Sequence, residues 1–176
     1  MRRNAAFILL LALLSVTAHA TTLAPLTFEQ LVNESAAVVY GRVVDVRSQW
    51  TEDRRFIESV VSVEILKGIK GAVRETVEFT VPGGQVGRYL NVIPGSPVFA
   101  PGDRAVFFLT ARGPRLPVTT GLTQGIYRVQ RNVSGELLVV PPALESAGKI
   151  VRGDARRKPA SLASFEASVR NVMTRQ

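Results

Sequence analysis

The chain contains no cysteine, and its single histidine, His19, falls within the first twenty residues. Without cysteine there are no disulfides, so packing and hydrogen bonds alone must hold the fold. Residues 1–20 read as a secretory signal. Arg2 and Arg3 form a charged start, and Ala18-His19-Ala20 has the small-x-small form of a signal-peptidase site. Between them, Ala5 to Val16 is an apolar run too short to span a bilayer. Cleavage after Ala20 removes the histidine too. A chain from Thr21 to Gln176 then lacks both His and Cys, which excludes Ser-His-Asp and Cys-His catalysis and the ordinary zinc ligands. The missing cysteine also excludes a lipoprotein anchor. The residues usual around a twin-arginine pair are absent, so the general secretory route is expected. No other stretch is apolar enough for a membrane helix. The short signal, the missing cysteine and the Arg/Ala-rich usage point to a bacterial secreted or periplasmic protein, for which no membrane span, cofactor or metal is expected.

Negative charge is also scarce. The formal charge of +8 falls to +6 once Arg2 and Arg3 leave with the signal. In an exported protein such an excess points to anionic envelope surfaces or acidic partners rather than to nucleic acid. Solubility alone explains it equally well. The acidic residues are scattered, and the one adjacent pair, Glu52 and Asp53, is flanked by Arg54 and Arg55. No calcium-loop pattern occurs.

What the chain has in quantity is alternation. Three β-runs lie between Ala36 and Val81. Val77, Phe79 and Val81 alternate with Thr76, Glu78 and Thr80, the period of a half-buried strand. Val61, Val63 and Ile65 repeat the pattern. In the first run Val38, Tyr40, Val44 and Val46 share one parity while Val39 and Val43 hold the other, so both faces are expected to be covered. Gly41 within that run predicts a bulge or bend.

Ahead of the runs, Thr27 and Gln30 predict a capping box, with Phe28, Leu31 and Val32 on one helical face that plugs an end of the sheet. Residues 48–55, containing the only tryptophan, Trp50, read as a polar loop, and Leu66-Lys67-Gly68 as the end of the second strand. The glycine-rich stretch from Pro82 to Gly87 lacks the Gly-Lys-Ser/Thr ending and following helix of a phosphate loop, so a tight exposed loop is expected. Residues 87–102 form a long loop unusually rich in apolar side chains. Arg104 to Thr110 is nearly all apolar and predicts a central strand. Residues 112–117 read as another loop. A strand within 121–131 should put Tyr127 and Val129 on one face and Ile126 and Arg128 on the other, paired with a strand at 136–140. After a basic loop holding Arg152-Gly153-Asp154, read as a solvated turn rather than an adhesion motif, Leu162, Phe165, Val169, Val172 and Met173 mark a final amphipathic helix capped by Ser161 or Ser164.

The succession Leu31, Ser35, Val38-Val39, Gly41, Val43, Val61, Val63, Leu66-Lys67-Gly68, Pro82-Gly83-Gly84, Gly87, Phe99, Gly102, Phe108-Leu109 and Gly121 resembles a group of uncharacterised bacterial secreted proteins. The first three strands are distantly similar to OB-fold barrels of the netrin-like type, which includes the tissue inhibitors of metalloproteinases. The resemblance implies a mainly β fold: a small OB-like antiparallel β-barrel of five to six strands with a short N-terminal helix and a C-terminal amphipathic helix. The division expected is 1–20 signal peptide, 21–145 barrel, and 146–176 basic loop and helix. Those inhibitors engage zinc through an N-terminal Cys; Thr21 stands at the expected mature terminus here, so that mechanism does not transfer. The helix of a standard OB fold between the third and fourth strands is also missing.

The functional expectation is a non-enzymatic binding module for a protein or envelope polymer. Its candidate site is the Pro82 to Phe99 loop with Trp50: Trp50, Pro82, Gly83, Gly84, Gly87, Tyr89 and Phe99. The alternatives are a protease inhibitor or protease-associated protein, and a hydrolase using paired carboxylates.

Overall fold

The computed structural model describes residues 24–71, 74–146, 149–152 and 158–175. The expected signal peptide, and Gly153 and Asp154 of the Arg-Gly-Asp tripeptide, lie outside the described residues. The fold is mainly β with two α-helices. Helix α1 (Phe28–Glu34) precedes β1 (Ala37–Trp50), β2 (Ile57–Lys70) and β3 (Thr76–Pro82). Two short strands follow, β4 (Gly84–Val86) and β5 (Tyr89–Asn91), then β6 (Arg104–Arg112) and β7 (Arg115–Thr119). A 3-10 turn (Leu122–Gly125) leads into β8 (Ile126–Arg131) and β9 (Leu137–Val140). The chain ends with β10 (Ala143–Ser146), β11 (Lys149–Arg152), β12 (Ala160–Ser161) and α2 (Leu162–Met173).

Eight strands join in one sheet, in the order β1-β2-β3-β7-β6-β8-β9-β12, and β1 pairs a second time with β6. The pairings through β1, β2, β3, β7 and β6 therefore return to β1. All but one of these contacts are antiparallel; β3 meets β7 in parallel at Thr80 and Val118. The sheet is larger than the five to six strands expected, because β8, β9 and β12 extend it beyond β6.

Strand β6 explains its own apolar run. Ala105, Phe107 and Leu109 enter one core with Val39, Val43, Val61, Val63, Phe79 and Phe99. Val106 and Phe108 enter a second core with Val38, Tyr40, Tyr127, Phe165 and both helices. The same split separates Val38 and Tyr40 from Val39 and Val43 on β1, which is why both parities of that run are apolar. On β8, Tyr127 and Val129 face one core and Ile126 the other, as their alternation predicts.

Helix α1 begins at the expected capping box: Gln30 N–H donates to Thr27 Oγ1 at 3.1 Å, and Thr27 N–H donates to Gln30 Oε1 at 2.7 Å. It ends at Ser35, whose buried hydroxyl donates to the Leu31 carbonyl at 2.7 Å. Its apolar side chains pack over a face of the sheet rather than plugging its end, since Leu31 and Val32 share their core with alternate residues of β1, β6 and β8. Ser161, not Ser164, caps α2, and the helix buries Phe165 and Val169 in that same core. Glu166 is also buried and is held by Lys67 at 2.8 Å and Arg170 at 3.3 Å, tying α2 to β2. The C-terminal helix thus docks on the sheet through the core it shares with α1.

Several boundaries differ from the sequence expectation. β1 and β2 continue through the supposed polar loop, with Ser48 opposite Ser59 and Trp50 opposite Ile57, so the turn shrinks to residues 51–56. β2 also runs past Gly68 to Lys70, where it pairs with Val38 and Val39. Residues 112–117 are not a loop. Arg112 closes β6, residues 113–114 make the turn and Arg115 opens β7, and an irregularity in register between Thr110 and Arg112 lets Pro117, which has no N–H to give, sit within that strand. Residues 87–102 contain β5, which forms a hairpin with β4.

The segment before α1 is fastened by a residue that the sequence did not flag. Buried Gln124 accepts from Leu26 N–H at 2.7 Å and donates to the Ala24 carbonyl at 3.1 Å. Replacing it with leucine keeps the bulk and strands both backbone groups, so Gln124→Leu is expected to lower stability by about 1–3 kcal/mol. Urea denaturation checks this, and an unchanged midpoint would show that the clasp carries no stability.

Candidate functional site

Two hairpins meet at one end of the sheet. The first is the β1–β2 tip. Thr51 N–H donates to the Phe56 carbonyl at 2.9 Å, and Asp53 accepts from the Thr51 hydroxyl at 2.6 Å and from Arg55 N–H at 3.2 Å. Those two donors, the hydroxyl first, hold the Asp53 carboxyl below the usual aspartate range. The sign follows directly: the turn keeps this support above the ordinary value of 3.8 and loses it as pH falls through the lowered one. The second hairpin is β4–β5, turning at Gly87, whose φ of 57° is left-handed.

The hairpins touch through Trp50 and Tyr89, whose rings meet edge to face with centroids 5.5 Å apart. Arg88 lies over the Tyr89 ring at 5.2 Å and donates to its hydroxyl at 3.1 Å. Both rings remain accessible, Trp50 at 37% and Tyr89 at 51%.

Beside this aromatic ridge is a mainly apolar cleft of about 360 Å³. Val46, Val61 and Val81 line it from the sheet, and Leu90, Val92 and Val98 from the loop. The last three are 67%, 74% and 82% exposed, although a folded chain ordinarily covers such side chains when it can. The loop is pinned in this open position. Ser96 Oγ donates to the Pro82 carbonyl at 2.6 Å, and Ser59 Oγ donates to the Gly83 carbonyl at 2.8 Å. Ser48 Oγ lies 3.0 Å from Ser59 Oγ and accepts from Gln85 N–H at 3.2 Å. Gly84, with φ of 137°, lies so close over Ser48 and Ser59 that any Cβ would collide with both hydroxyls.

Most of the expected site residues gather here. Pro82, Gly83, Gly84 and Phe99 line the cleft, Trp50 and Tyr89 form its neighbouring ridge, and Gly87 makes the turn that presents Tyr89. Phe99 has a structural part as well: it is 8% exposed and its centroid is 5.8 Å from those of both Phe79 and Phe107. Ser48 and Ser59 were missed because only their cross-strand register brings them together.

Arg128 was expected only as a strand residue, yet it anchors the far end of the loop. It donates to Asp103 Oδ2 at 2.6 Å and to the Val98 carbonyl at 2.6 Å, with its guanidinium 5.1 Å over the Phe99 ring. Past it opens a second, polar groove of about 660 Å³, lined by Asp103, Arg104, Arg128, Gln130 and Arg131 among others. Of these two clefts, the apolar one has no carboxylate in its lining and the polar one has Asp103 alone. Among the described residues no group of three or more His, Asp or Glu side chains converges as a metal site requires, and no described helix is long and apolar enough to cross a membrane. No protein-family model, curated protein or solved structure matches the chain.

Proposed function

We propose that the chain is an exported, non-enzymatic binding domain that docks a partner protein on the Trp50–Tyr89 ridge and the adjoining cleft. The observation that carries this reading is the gathering of exposed Trp50, Tyr89, Leu90, Val92 and Val98, drawn from separate strands and a pinned loop, around one apolar hollow. Aromatic side chains with an arginine at the edge are what buried interface centres use. Here Arg88 stands at Tyr89.

The scaffold in this reading is an OB-like barrel akin to the netrin-like domains. Its support is the return of the five-strand ladder to β1 and the single parallel contact between β3 and β7. Export to the periplasm or the medium rests on the signal-like first twenty residues.

The test uses the chain from Thr21 to Gln176 with a C-terminal tag, incubated with the native periplasmic and secreted fractions and washed at rising salt. A protein retained at high salt by the parent and lost by a Leu90→Ser, Val98→Ser variant supports the reading. Retention that disappears at moderate salt contradicts it, since net charge alone would then be acting, and so does retention at high salt that the variant keeps, which would put the partner elsewhere on the molecule. A retained protease that loses activity on binding would make the domain an inhibitor.

A further inference from the structure

We propose that the groove between the ends of β6 and β8 is a phosphate-binding site, separate from the apolar cleft and independent of the reading given for it. Arg104 and Arg131 supply the charge. The other two arginines nearby are already neutralised: Arg42 donates twice to Glu64, at 2.7 and 3.0 Å, and Arg128 is paired with Asp103 at 2.6 Å. Arg104 makes no side-chain hydrogen bond or ion pair among the described residues. Arg131 is oriented by a bond from Nη1 to the Gly135 carbonyl at 2.9 Å, which positions it and leaves its charge uncompensated.

The strand register adds a second observation. Arg42 and Arg104 are directly opposite each other on β1 and β6. Like charges in that relation destabilise a sheet, and Glu64 offsets one of the two. The groove therefore holds two unmatched guanidinium groups. A singly charged carboxylate would match one of them, whereas a phosphate dianion matches both and offers oxygens for the planar donor fork of each. The dianion can be free phosphate, or two adjacent singly charged units of a phosphate polymer can meet the two groups together, and the excess of +6 expected for the exported chain favours either at long range.

The experiment is calorimetric titration of the folded chain at low salt with inorganic phosphate and, separately, with a polyphosphate chain. Arg104→Gln and Arg131→Gln are each expected to weaken binding about tenfold, the loss of one charge-assisted contact. Arg104→Lys should fall between, because it keeps the charge without the fork. Arg175→Gln, which removes an equal charge from the exposed end of the chain, should bind as the parent does. Binding of phosphate itself identifies a free anion as sufficient; binding of polyphosphate alone identifies a polymer-borne group. No binding of either probe overturns the site. So does an equal loss in Arg175→Gln and Arg104→Gln, which would reduce the effect to net charge. Thermal melts of each variant confirm that it is folded, and Arg131→Gln, on an exposed side chain, keeps the test valid should Arg104→Gln unfold.

Discussion

Phe107→Ala is expected to destabilise the domain by about 3–5 kcal/mol, the range for removing a fully buried aromatic side chain. Phe107 is 0% exposed, and its ring centroid is 5.5 Å from that of Phe79 and 5.8 Å from that of Phe99. It sits on β6, which β1, β7 and β8 all flank, so the backbone around the lost ring has little freedom to collapse into the space. In a domain of this size the melting temperature should fall by roughly 10 °C. Urea denaturation should show a lower midpoint with an unchanged slope. The substitution also loosens Phe99, which lines the apolar cleft, so partner binding should weaken beyond what the unfolded fraction explains. A loss under about 1 kcal/mol would mean that this aromatic cluster is not a tightly packed centre of the fold.

Gly41→Ala is expected to cost about 3 kcal/mol, near the upper part of the range for overpacking. The reason is space, not backbone conformation. A Cβ at Gly41 would run into the side chain of Val63 and stand 2.7 Å from the Glu64 carbonyl oxygen. Val63 could turn aside, but the carbonyl is backbone of β2, which stays paired with β1 at Tyr40 on one side of the contact and at Arg42 and Val43 on the other. The pairing shifts between Tyr40 and Gly41, so the glycine is where β1 bends across its neighbour. Gly113→Ala is the comparison. Its φ of 64° is left-handed and nothing lies within 4 Å of an added Cβ, so only backbone strain of about 1–2 kcal/mol applies. Equal losses in the two variants would remove the close approach from the account.

Much of this could be read from the chain because the responsible signals are local. The Thr27–Gln30 capping box, the 3-and-4 spacing of α2, and the opposed faces of β8 all depend on residues within a turn or strand of each other. Gly41 announced a bend because a glycine inside a strand run has few other reasons to be there. What stayed hidden depends on partners distant in sequence. RLPVT at Arg115–Thr119 has a proline and no clean alternation, and it becomes a strand only because β3 and β6 bracket it. The stretch holding Trp50 reads as a polar loop because Glu52, Asp53, Arg54 and Arg55 follow it, and Ser48 and Gln49 before it are polar too. Their pairing with Ser59 and Glu58 extends the strands and carries Trp50 out to meet Tyr89. The candidate site was legible as a loop with too many apolar side chains for its length. The second wall of the cleft was not, since Val46, Val61 and Val81 read as ordinary core positions.

The most direct test of the docking surface uses Trp50 itself. It is the only tryptophan in the chain and stands on the ridge, so its emission reports from one place. The protein retained in the pull-down is titrated in while Trp50 emission and its quenching by acrylamide are followed, with a parallel titration of Trp50→Phe subtracted to remove the partner's own emission. Docking on the ridge predicts a blue shift and a marked loss of quenching that saturate with binding, both absent when Leu90 and Val98 are serine. Saturable binding that leaves Trp50 emission and quenching unchanged would place the partner elsewhere on the molecule and contradict the assignment.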